Sequence, residues 1–496
     1  MLDAGANNPV NELVRASEYH FFQIRERQFL YDVQAMNVLP SCDLDERIME
    51  ASRDPIALDQ LTERCTAQGF SAEEVNERIC CLHNNRFLLK PGEHSVRAKL
   101  ATPTRYATFM VNVAQRCNLT CPYCYVNKGL FDYEQKPIPK MAAETAESLV
   151  ETIHGNFPHF ETYGYHFYGG EPLMNFDAIR RVVNRAEEYA DQSGTKTDYH
   201  ITTNGTLLNG KIADFMDAHR FTVYFSIDGD QENHDQLRTY INGKGSFADV
   251  ERNLAYLRTK PGVHLIGSSV IRQGFQLGEA MEHLEGHGAR QCKAERVRLH
   301  DGDEMSLMGL EHDAYIQDIE NLIDHYIAAL SAGRKPMDFR LSSKILQLFT
   351  KTRRDFFCPA GDRMFGVSAD GEIYPCALHV GRPGSLLGTL EGGLDRQKQV
   401  AFREKYSPEG QEVCSTCWNR QLCGGGCSAM VDRFSHEDCR SLMAESEAAV
   451  AIYQHFMEQD FAKLFGLVSP KVVKWINGEL EDPEELLPTE VTTMVV

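Results

Sequence analysis

The chain has 496 residues, of which 42% are apolar, enough for about two to four packed domains. Its 51 Lys and Arg residues stand against 71 Asp and Glu residues, giving a net charge of −20. This balance argues against a nucleic-acid or membrane partner, because both need a dense basic surface. The N-terminus has no apolar core of the signal-peptide type and no apolar run could span a bilayer, so we expect a cytoplasmic protein.

The first hundred residues predict a small separate unit. Residues 29–33 ("FLYDV") and 36–39 ("MNVL") are expected to form short strands. Helices are expected at 43–52, 54–69 and 71–85. The third opens with Ser71 and Glu74 at capping-box spacing. Strands with three short helices resemble a winged helix, and the lack of a basic patch disfavours its DNA-binding version.

From about residue 101 the pattern changes to strands that alternate with helices. The strand candidates are 106–113, 163–169, 197–203, 221–228, 263–271 and 294–300. Repeated β-α units imply a parallel sheet with right-handed crossovers. Six units predict an α/β fold built on a barrel or part of one, with its chemistry at the C-terminal strand ends.

The fifteen cysteines are many for a cytosolic chain, and ten of them are clustered. Three lie in 117–124 and seven in 358–439, a region with little periodicity that we expect metal to hold together. In a reducing compartment such clusters more often bind metal or do redox chemistry than form disulfides. The remaining five are interpreted as buried small residues: Cys42, Cys65, Cys80, Cys81 and Cys292.

The stretch "CNLTCPYC" places Cys117, Cys121 and Cys124 directly after the first predicted barrel strand. Three thiolates suit a 4Fe-4S cluster in which one iron has no protein ligand. The alternative is a zinc or disulfide cluster. The CxxxCxxC spacing resembles the radical S-adenosylmethionine (SAM) superfamily, and this resemblance implies that the free iron chelates the amino and carboxylate groups of SAM.

Motifs at the next strand ends resemble the same family. They are "YGGEP" (168–172), "TTNG" (202–205), "SIDG" (226–229) and "HDQLR" (234–238). The resemblance implies that SAM is bound by Tyr123, Gly169, Gly170, Glu171, Asn204, Ser226 and Arg238.

The implied roles of these residues follow from their chemistry. The glycines permit close backbone approach and expose carbonyl acceptors to the SAM ammonium group. Ser226 is expected to contact the ribose or carboxylate, and Arg238 to pair with the carboxylate through its fixed fork of donors. Tyr123 is expected to lie against the adenine.

The seven later cysteines resemble a SPASM domain, which holds two auxiliary iron-sulfur clusters. A zinc ribbon is the alternative. The resemblance assigns an outer cluster to Cys414, Cys417, Cys423 and Cys439. It assigns an inner cluster to Cys358, Cys376 and Cys427. With the first set, this gives three clusters in the chain.

The inner set departs from the pattern of some SPASM enzymes. Those enzymes carry a fourth cysteine six residues after the first, where this chain has Met364. An open iron there could bind a substrate thiolate, as in the peptide thioether maturases. Anaerobic sulfatase maturases carry an Asp after the second SPASM cysteine, where this chain has Ala377. The general base stays unassigned, with Asp228 and Glu171 as candidates.

We therefore expect four parts in the chain. They are a winged-helix-like peptide-recognition element (1–100), a partial (β/α)6 radical SAM barrel (101–335), a SPASM domain (336–460) and an acidic tail (461–496). In the first part, the stretch 28–40 is expected to offer a sheet edge to a leader peptide as an added strand. A flavodoxin or ferredoxin is the expected reductant.

The resemblance implies a maturase that uses a 5′-deoxyadenosyl radical on a ribosomally made peptide or small protein. Thioether crosslinks from Cys to Asp or Glu carbons are favoured, as in the maturation proteins of quinohemoprotein amine dehydrogenase. A C–C crosslink, or Cys or Ser oxidation, uses the same motifs. An iron-sulfur electron carrier or scaffold is the alternative of another class.

Overall fold

A computed structural model describes residues 12–100, 105–124, 140–272, 275–297, 312–433 and 436–467 of the protein. Within these ranges, no helix is both long and apolar enough to cross a bilayer.

The N-terminal unit contains two small sheets and three helices. Its strands are β1 (Leu13–Ala16), β2 (Tyr19–Ile24), β3 (Arg27–Asp32), β4 (Val38–Ser41), β5 (Ile56–Ala57) and β6 (Leu88–Leu89). Its helices are α1 (Asp43–Ala51), α2 (Leu58–Thr66) and α3 (Ala72–Asn84). The predicted capping box at Ser71 and Glu74 is present. Strand β2 was not predicted, because both of its faces are partly covered and it shows no polar alternation.

The sheet β2-β3-β4 corrects the expected position of a free edge. Strand β3 is the middle strand and pairs on both sides, antiparallel to β2 and to β4. Of the stretch 28–40, only the part in β4 therefore lies at an edge. Pro40 is in that strand and has no N–H to donate to an added strand.

The central sheet contains all six predicted parallel strands. After the short β7 (Lys99–Leu100), they are β8 (Tyr106–Ala114), β9 (Thr162–Gly169), β10 (Lys196–Thr203), β11 (Thr222–Ser226), β12 (His264–Ile271) and β13 (Gln291–Arg296). They lie in the order β13-β12-β11-β10-β9-β8. The last begins three residues earlier than expected, and residues 298–300 of that prediction lie outside the described residues.

Helices follow these strands and cover one face of the sheet. They are α4 (Ala143–Asn156), α5 (Phe176–Ser193), α6 (Gly210–Ala218), α7 (Gln231–Leu237), α8 (Phe247–Arg258), α9 (Leu277–Gly286) and α10 (His312–Ser331). On that face Phe109, Tyr165, Ile201 and Val223 are fully buried in the core. The alternate residues form the opposite, concave face, where polar side chains prevail. The strand pattern therefore separates a hydrophobic core from a polar interior.

The C-terminal region extends the same sheet. Its strands are β14 (Thr352–Arg353), β15 (Met364–Val367), β16 (Glu372–Tyr374), β17 (Gly388–Thr389) and β18 (Gly393–Leu394). Its helices are α11 (Ser342–Thr350), α12 (Arg396–Tyr406), α13 (Glu412–Ser415), α14 (Arg420–Cys423) and α15 (His436–Gln459). Strand β15 pairs parallel to β8, which joins this region to the barrel.

Two features of the C-terminal region differ from the sequence-based picture. The region contains the long helix α15 and buried apolar residues such as Phe365 and Ile373, so metal alone does not account for its order. In the predicted tail, Phe461–Leu467 forms a 3-10 helix whose Leu464 and Leu467 are buried. The rest of the tail lies outside the described residues.

The N-terminal unit docks on the C-terminal region through Trp418. The His20 ring stacks on Trp418 with centroids 3.8 Å apart, and Tyr31 meets it edge-on at 6.0 Å. His20 Nε2 also lies 3.2 Å from Glu447 Oε1 on α15. Trp418 directly follows Cys417, so the N-terminal sheet lies against the loop of the later cysteines.

Replacing Trp418 with Ala should weaken this docking, because it removes the aromatic contacts with His20, Phe22 and Tyr31. We expect a loss of about 3 kcal/mol. Hydrogen-deuterium exchange over β2 and β3 should become faster, while exchange in β8–β13 stays unchanged. Tyr256→Ala, at a side chain that is 42% exposed, serves as the control. Equal exchange over β2 and β3 in both variants would contradict the docking role of Trp418.

Candidate functional site

The first three cysteines lie beyond the carboxyl end of β8. The Cys117 sulfur accepts from the Leu119 N–H at 3.4 Å and from Asn204 Nδ2 at 3.5 Å. Burial raises the pKa of Cys117 to about 12, and the charges of Glu171, Cys121 and Cys124 add to the effect. Burial likewise raises the pKa of Cys121 to about 11, although Arg238 opposes it. The three thiols therefore lie close enough to repel one another as anions.

The glycines of "YGGEP" let β9 approach the start of this cysteine loop. Gly169 has φ +124°, and a Cβ there would lie 2.1 Å from the Ala114 carbonyl oxygen. A Cβ on Gly170 would lie 2.4 Å from the Arg116 carbonyl carbon and oxygen. The Gly170 N–H donates to the Ala114 carbonyl at 2.8 Å. Neither position accepts a side chain without moving the loop.

Glu171 is a buried carboxylate that ties three segments together. Its Oε1 accepts from the Leu173 N–H at 3.0 Å and from Thr203 Oγ1 at 2.7 Å, and its Oε2 accepts from the Asn204 N–H at 2.7 Å. Burial raises the pKa of Glu171 to about 7, although these hydrogen bonds act to lower it. Because both oxygens are engaged and the residue is 1% exposed, Glu171 supports the site by holding the 203–204 turn.

Asp228, the second candidate base, is also fully engaged. Arg238 donates from Nε and Nη2 to its two oxygens at 2.8 and 3.1 Å, and the Tyr123 hydroxyl donates at 2.6 Å. Burial would raise the pKa of Asp228, but the Arg238 guanidinium outweighs it and the pKa lies below its usual range. An ionised, paired carboxylate of this kind positions its partners rather than accepting a proton.

The same contacts place Arg238 and Tyr123 together. The Arg238 guanidinium lies 5.5 Å from the Tyr123 ring centroid, so the aromatic ring and the cation form one unit beside Cys121. In this structure the Arg238 fork is directed to Asp228. Its predicted pairing with the SAM carboxylate stays a prediction, as does the adenine contact of Tyr123.

Asn204 and Ser226 end neighbouring strands at the same rim. Asn204 Nδ2 also donates to Asn118 Oδ1 at 3.0 Å, which links the third strand end to the cysteine loop. Ser226 is the last residue of β11, is 9% exposed and pairs with Ser268 across the sheet. The parallel registers therefore put the four strand ends singled out in the sequence at one edge of the sheet, where Asn204 contacts Cys117.

The concave face carries polar residues that sequence reasoning did not identify. His166 Nε2 lies 2.8 Å from Thr202 Oγ1, and its other ring nitrogen has no hydrogen-bond partner in the described part of the chain. Burial, with His200 and Lys293 nearby, lowers the pKa of His166 well below its usual value. The polar residues at alternate positions of "YGYHFYG" were the available signal.

Asn112 adds a second unpaired polar group to this face. Its Oδ1 is buried and finds no partner among the described residues. Asn112 pairs with Tyr168 in the register between β8 and β9, two positions after the pair formed by Met110 and His166. An unpaired buried acceptor costs free energy unless a ligand or water satisfies it, so this face is prepared for a polar group.

The inner cysteine set lies against the same face. Gly366 pairs with Met110, and a Cβ on Gly366 would lie 2.5 Å from the Cys376 carbonyl oxygen. Burial raises the pKa of Cys358 to about 11, with the charge of Cys427 adding to it. Burial raises the pKa of Cys376 further, with the charges of Cys358 and Cys427 contributing.

His379 supports this set and was also missed in the sequence. It is fully buried, and its two ring nitrogens lie 3.0 Å from Ser385 Oγ and 3.1 Å from Ser428 Oγ. Because Ser428 follows Cys427 and His379 is three residues after Cys376, the imidazole fixes the two cysteine segments relative to each other.

The outer cysteine set forms a third group. Burial raises the pKa of Cys414 to about 12, with the charges of Cys423, Cys417 and Cys439 adding to it. Burial also raises the pKa of Cys439 to about 11, with Cys423 and Cys417 contributing. Asn419 donates its N–H to the Cys417 sulfur at 3.4 Å.

The other five cysteines only partly follow the prediction. Cys65 and Cys292 are buried, as expected. Cys42 and Cys80 are exposed and Cys81 is half-buried, so the interpretation as buried small residues is wrong for these three. Cys42 caps the exposed start of α1 and Cys80 lies on the outer face of α3, where neither packs into the core.

The donor groups fit iron-sulfur clusters in their chemistry. All fifteen cysteines are free thiols, and within each predicted set the charge of neighbouring cysteines raises the pKa of Cys117, Cys376 or Cys414, while the assignment of the ten to three clusters stays a prediction. A cluster binds thiolates and spreads them over several irons, and its positive irons offset the cost of ionising buried thiols. Among the described residues, no group of three or more His, Cys, Asp or Glu side chains could hold a single metal ion.

Glu171 predicts a pH dependence of stability. Because its pKa is raised to about 7, the folded chain keeps the proton between about pH 4.5 and 7 while the unfolded chain loses it. The stabilisation is complete below this window and is lost as the pH rises through it, by up to about 3 kcal/mol. The free energy of unfolding of Glu171→Gln, measured with denaturant, should not show this decline as the pH rises. The variant Glu279→Gln, at an exposed position, should retain the decline. If the free energy of unfolding changed with pH in the same way in both variants, the assignment of the decline to Glu171 would be refuted.

The comparisons with known proteins agree with this geometry. Residues 111–275 match the model of the Radical SAM superfamily. A cysteine-type anaerobic sulfatase-maturating enzyme of Clostridium perfringens strain 13 is 22% identical over 365 residues, covering 71% of this chain and 95% of that protein. The radical SAM cyclopropyl synthase TigE of Paramaledivibacter caminithermalis is 23% identical over 41% of this chain and 45% of that protein.

A solved structure supports the fold. Native anSMEcpe with bound AdoMet superposes with a TM-score of 0.61 at 20% identity, over 71% of this chain and 99% of that one. At this level of identity the match concerns the fold alone. The matched superfamily uses a 4Fe-4S cluster and SAM. Residues 111–275 of this chain are therefore similar to the Radical SAM superfamily.

Proposed function

We propose that the protein is a radical SAM maturase that forms intrapeptide thioether crosslinks from Cys to Asp or Glu carbons. Its substrate would be a ribosomally made peptide or a small protein subunit, of the kind matured for quinohemoprotein amine dehydrogenase. The proposal rests on the inner set of three cysteines, Cys358, Cys376 and Cys427, because a 4Fe-4S cluster held by three thiolates would have one iron free for a substrate thiolate.

Two neighbours of the inner set support an open position. Met364 stands where some related enzymes have a fourth cysteine, and it is the first residue of β15 and 6% exposed. Ala377, which stands in place of the Asp of sulfatase maturases, is likewise buried. Neither position therefore supplies a thiolate ligand or a carboxylate base.

The concave face offers room for the residue that reacts. Paired strand residues connect the inner set with the middle of this face. Gly366 lies against Cys376 and pairs with Met110. Met110 in turn pairs with His166, and His166 pairs with His200. A peptide whose thiol lies at the inner set would therefore place adjoining side chains over His166. A neutral imidazole can hydrogen-bond such a side chain without placing a second charge near it.

The remaining site residues either bind the cofactors or orient other side chains. Cys117, Cys121 and Cys124 would hold the cluster that supplies, with SAM, the 5′-deoxyadenosyl radical for hydrogen abstraction. Glu171 and Asn204 hold the loop beneath it. Arg238, fixed by Asp228, presents positive charge beside Cys121.

The N-terminal unit would recognise the leader peptide. Strand β4 is one of the two edges of the sheet β2-β3-β4, and backbone pairing along it, except at Pro40, would give affinity while side-chain pockets give selectivity. A flavodoxin or ferredoxin would supply the electrons that SAM cleavage consumes.

A sulfatase-maturase-type oxidation of Cys or Ser is the second candidate. It is favoured by relatives of that type that align over most of their length. Ala377 argues against this oxidation, because sulfatase maturases carry an Asp at that position. A C–C crosslink would use the same radical, whereas an electron carrier would produce no 5′-deoxyadenosine.

Cysteine replacement should separate the three clusters. The reconstituted chain should contain about twelve irons. Replacing Cys117, Cys121 and Cys124 with Ala should remove about four and abolish reductive cleavage of SAM. Replacing Cys358, Cys376 and Cys427 should also remove about four but leave cleavage intact. The exposed Cys80→Ala is the control, and a wild-type iron content near four would refute the SPASM assignment.

Product mass distinguishes the bond that forms. We expect a co-expressed short peptide encoded beside this gene to lose two hydrogens per crosslink, keep its sulfur and resist thiol alkylation. Replacing its acidic residues with Asn or Gln should abolish the change. His166→Phe should reduce crosslinking at least tenfold while retaining SAM cleavage, with Tyr256→Phe as control. A product that still reacts with alkylating agents would exclude the thioether.

A further inference from the structure

Arg354 lies between the inner and outer cysteine sets. Its backbone N–H donates to the Gln421 carbonyl at 3.0 Å, two residues before Cys423. Its Nη1 donates to the Phe357 carbonyl at 3.1 Å, directly before Cys358. Arg354 therefore connects, through its backbone on one side and its side chain on the other, the segments that supply a cysteine to each set.

Gly424 makes this approach possible. It ends α14 with φ +75°, and a Cβ there would lie 2.5 Å from the Phe356 carbonyl carbon and oxygen and 2.7 Å from the Phe357 nitrogen. The segment before Cys358 thus lies in direct contact with the residue after Cys423. The two cysteine sets are neighbours through this contact.

Arg354 has no carboxylate partner among the described residues. Its only side-chain hydrogen bond is to a carbonyl, and burial lowers its pKa. The nearby Glu445 already accepts from Lys344 at 3.1 Å and from the Tyr315 hydroxyl at 2.7 Å. Ionisation of the Cys423 and Cys358 thiols, as in bound clusters, would add negative charge that favours the Arg354 cation.

The arginines around it act differently. Arg420 also donates to a cysteine carbonyl, that of Cys417 at 2.8 Å, but its charge is paired with Glu18. Arg403 donates to the Cys358 carbonyl at 3.3 Å and lies 3.4 Å from Asp355. Arg354 alone of the three connects both sets and lacks an acidic partner within the described ranges.

We propose that Arg354 is a shared electrostatic positioning residue that raises the reduction potentials of both auxiliary clusters. This inference rests on the proposed function, since it requires clusters on both sets. Reduction adds negative charge to a cluster whose thiolate ligands are already anionic, and a fixed cation favours that state. In a chain with a net charge of −20, one cation between two clusters serves both.

The test is a redox titration followed by electron paramagnetic resonance on the full chain. Cys117, Cys121 and Cys124 are replaced with Ala so that only auxiliary signals remain. Arg354→Gln should move both auxiliary transitions to lower potential. Arg354→Lys, which keeps the charge, should leave both near those of the parent. Arg403→Gln is the matched control and should move the inner transition alone.

Each outcome decides the matter. A parent chain without two auxiliary clusters would overturn this inference together with the cluster assignment of the proposed function. Two clusters with one or no transition moved by Arg354→Gln would overturn this inference alone. If Arg354→Gln does not hold its iron, Arg354→Lys decides: unchanged potentials support the role of charge, and lowered potentials refute it. If Arg354 only held the two cysteine segments in place, Arg354→Gln would not selectively shift the reduction potential of either auxiliary cluster.

Discussion

The parallel pairing of β15 with β8 is the constraint on which the rest of the structure depends. It makes one continuous sheet from two regions that the sequence separates, and it puts Gly366 beside Met110. Because Gly366 has no side chain, the Cys376 backbone lies directly on the concave face. One of the inner cysteines thereby lies next to the polar interior of the barrel, whereas independent domains would need a separate interface to achieve this.

The buried carboxyl groups of this protein orient other groups more than they take part in reactions. Glu171 satisfies three donors and Asp228 neutralises Arg238, so each carboxylate is committed before any ligand arrives. Such networks are stable only when every member is satisfied, because an unpaired buried charge is expensive. On the concave face, the buried Asn112 Oδ1 has no partner among the described residues, so a ligand or water there would satisfy it.

The sequence predicted the parts of this fold whose signals are local. The six barrel strands, the capping box at Ser71 and the order of the strand-end motifs follow from periodicity and spacing. Strand β2 was missed because its side chains are covered on both faces. Arg354, Gly366 and His379 were missed because their importance lies in contacts between distant segments, which no local pattern encodes. Cys42 and Cys80 show the same limit, since composition alone does not tell an exposed thiol from a buried one.

The docking of His20 has a consequence for the order of assembly. Its contact with Glu447 joins residues 427 positions apart, and its stacking partner Trp418 also lies near the end of the chain. On the ribosome, the N-terminal sheet is therefore complete long before the surface that covers it has been synthesised. Closing so long a loop is slow compared with the folding of local elements. The nascent sheet passes through a period in which its aromatic face is open to water, and a peptide bound early at its edge would shield the neighbouring strands until the last helix arrives.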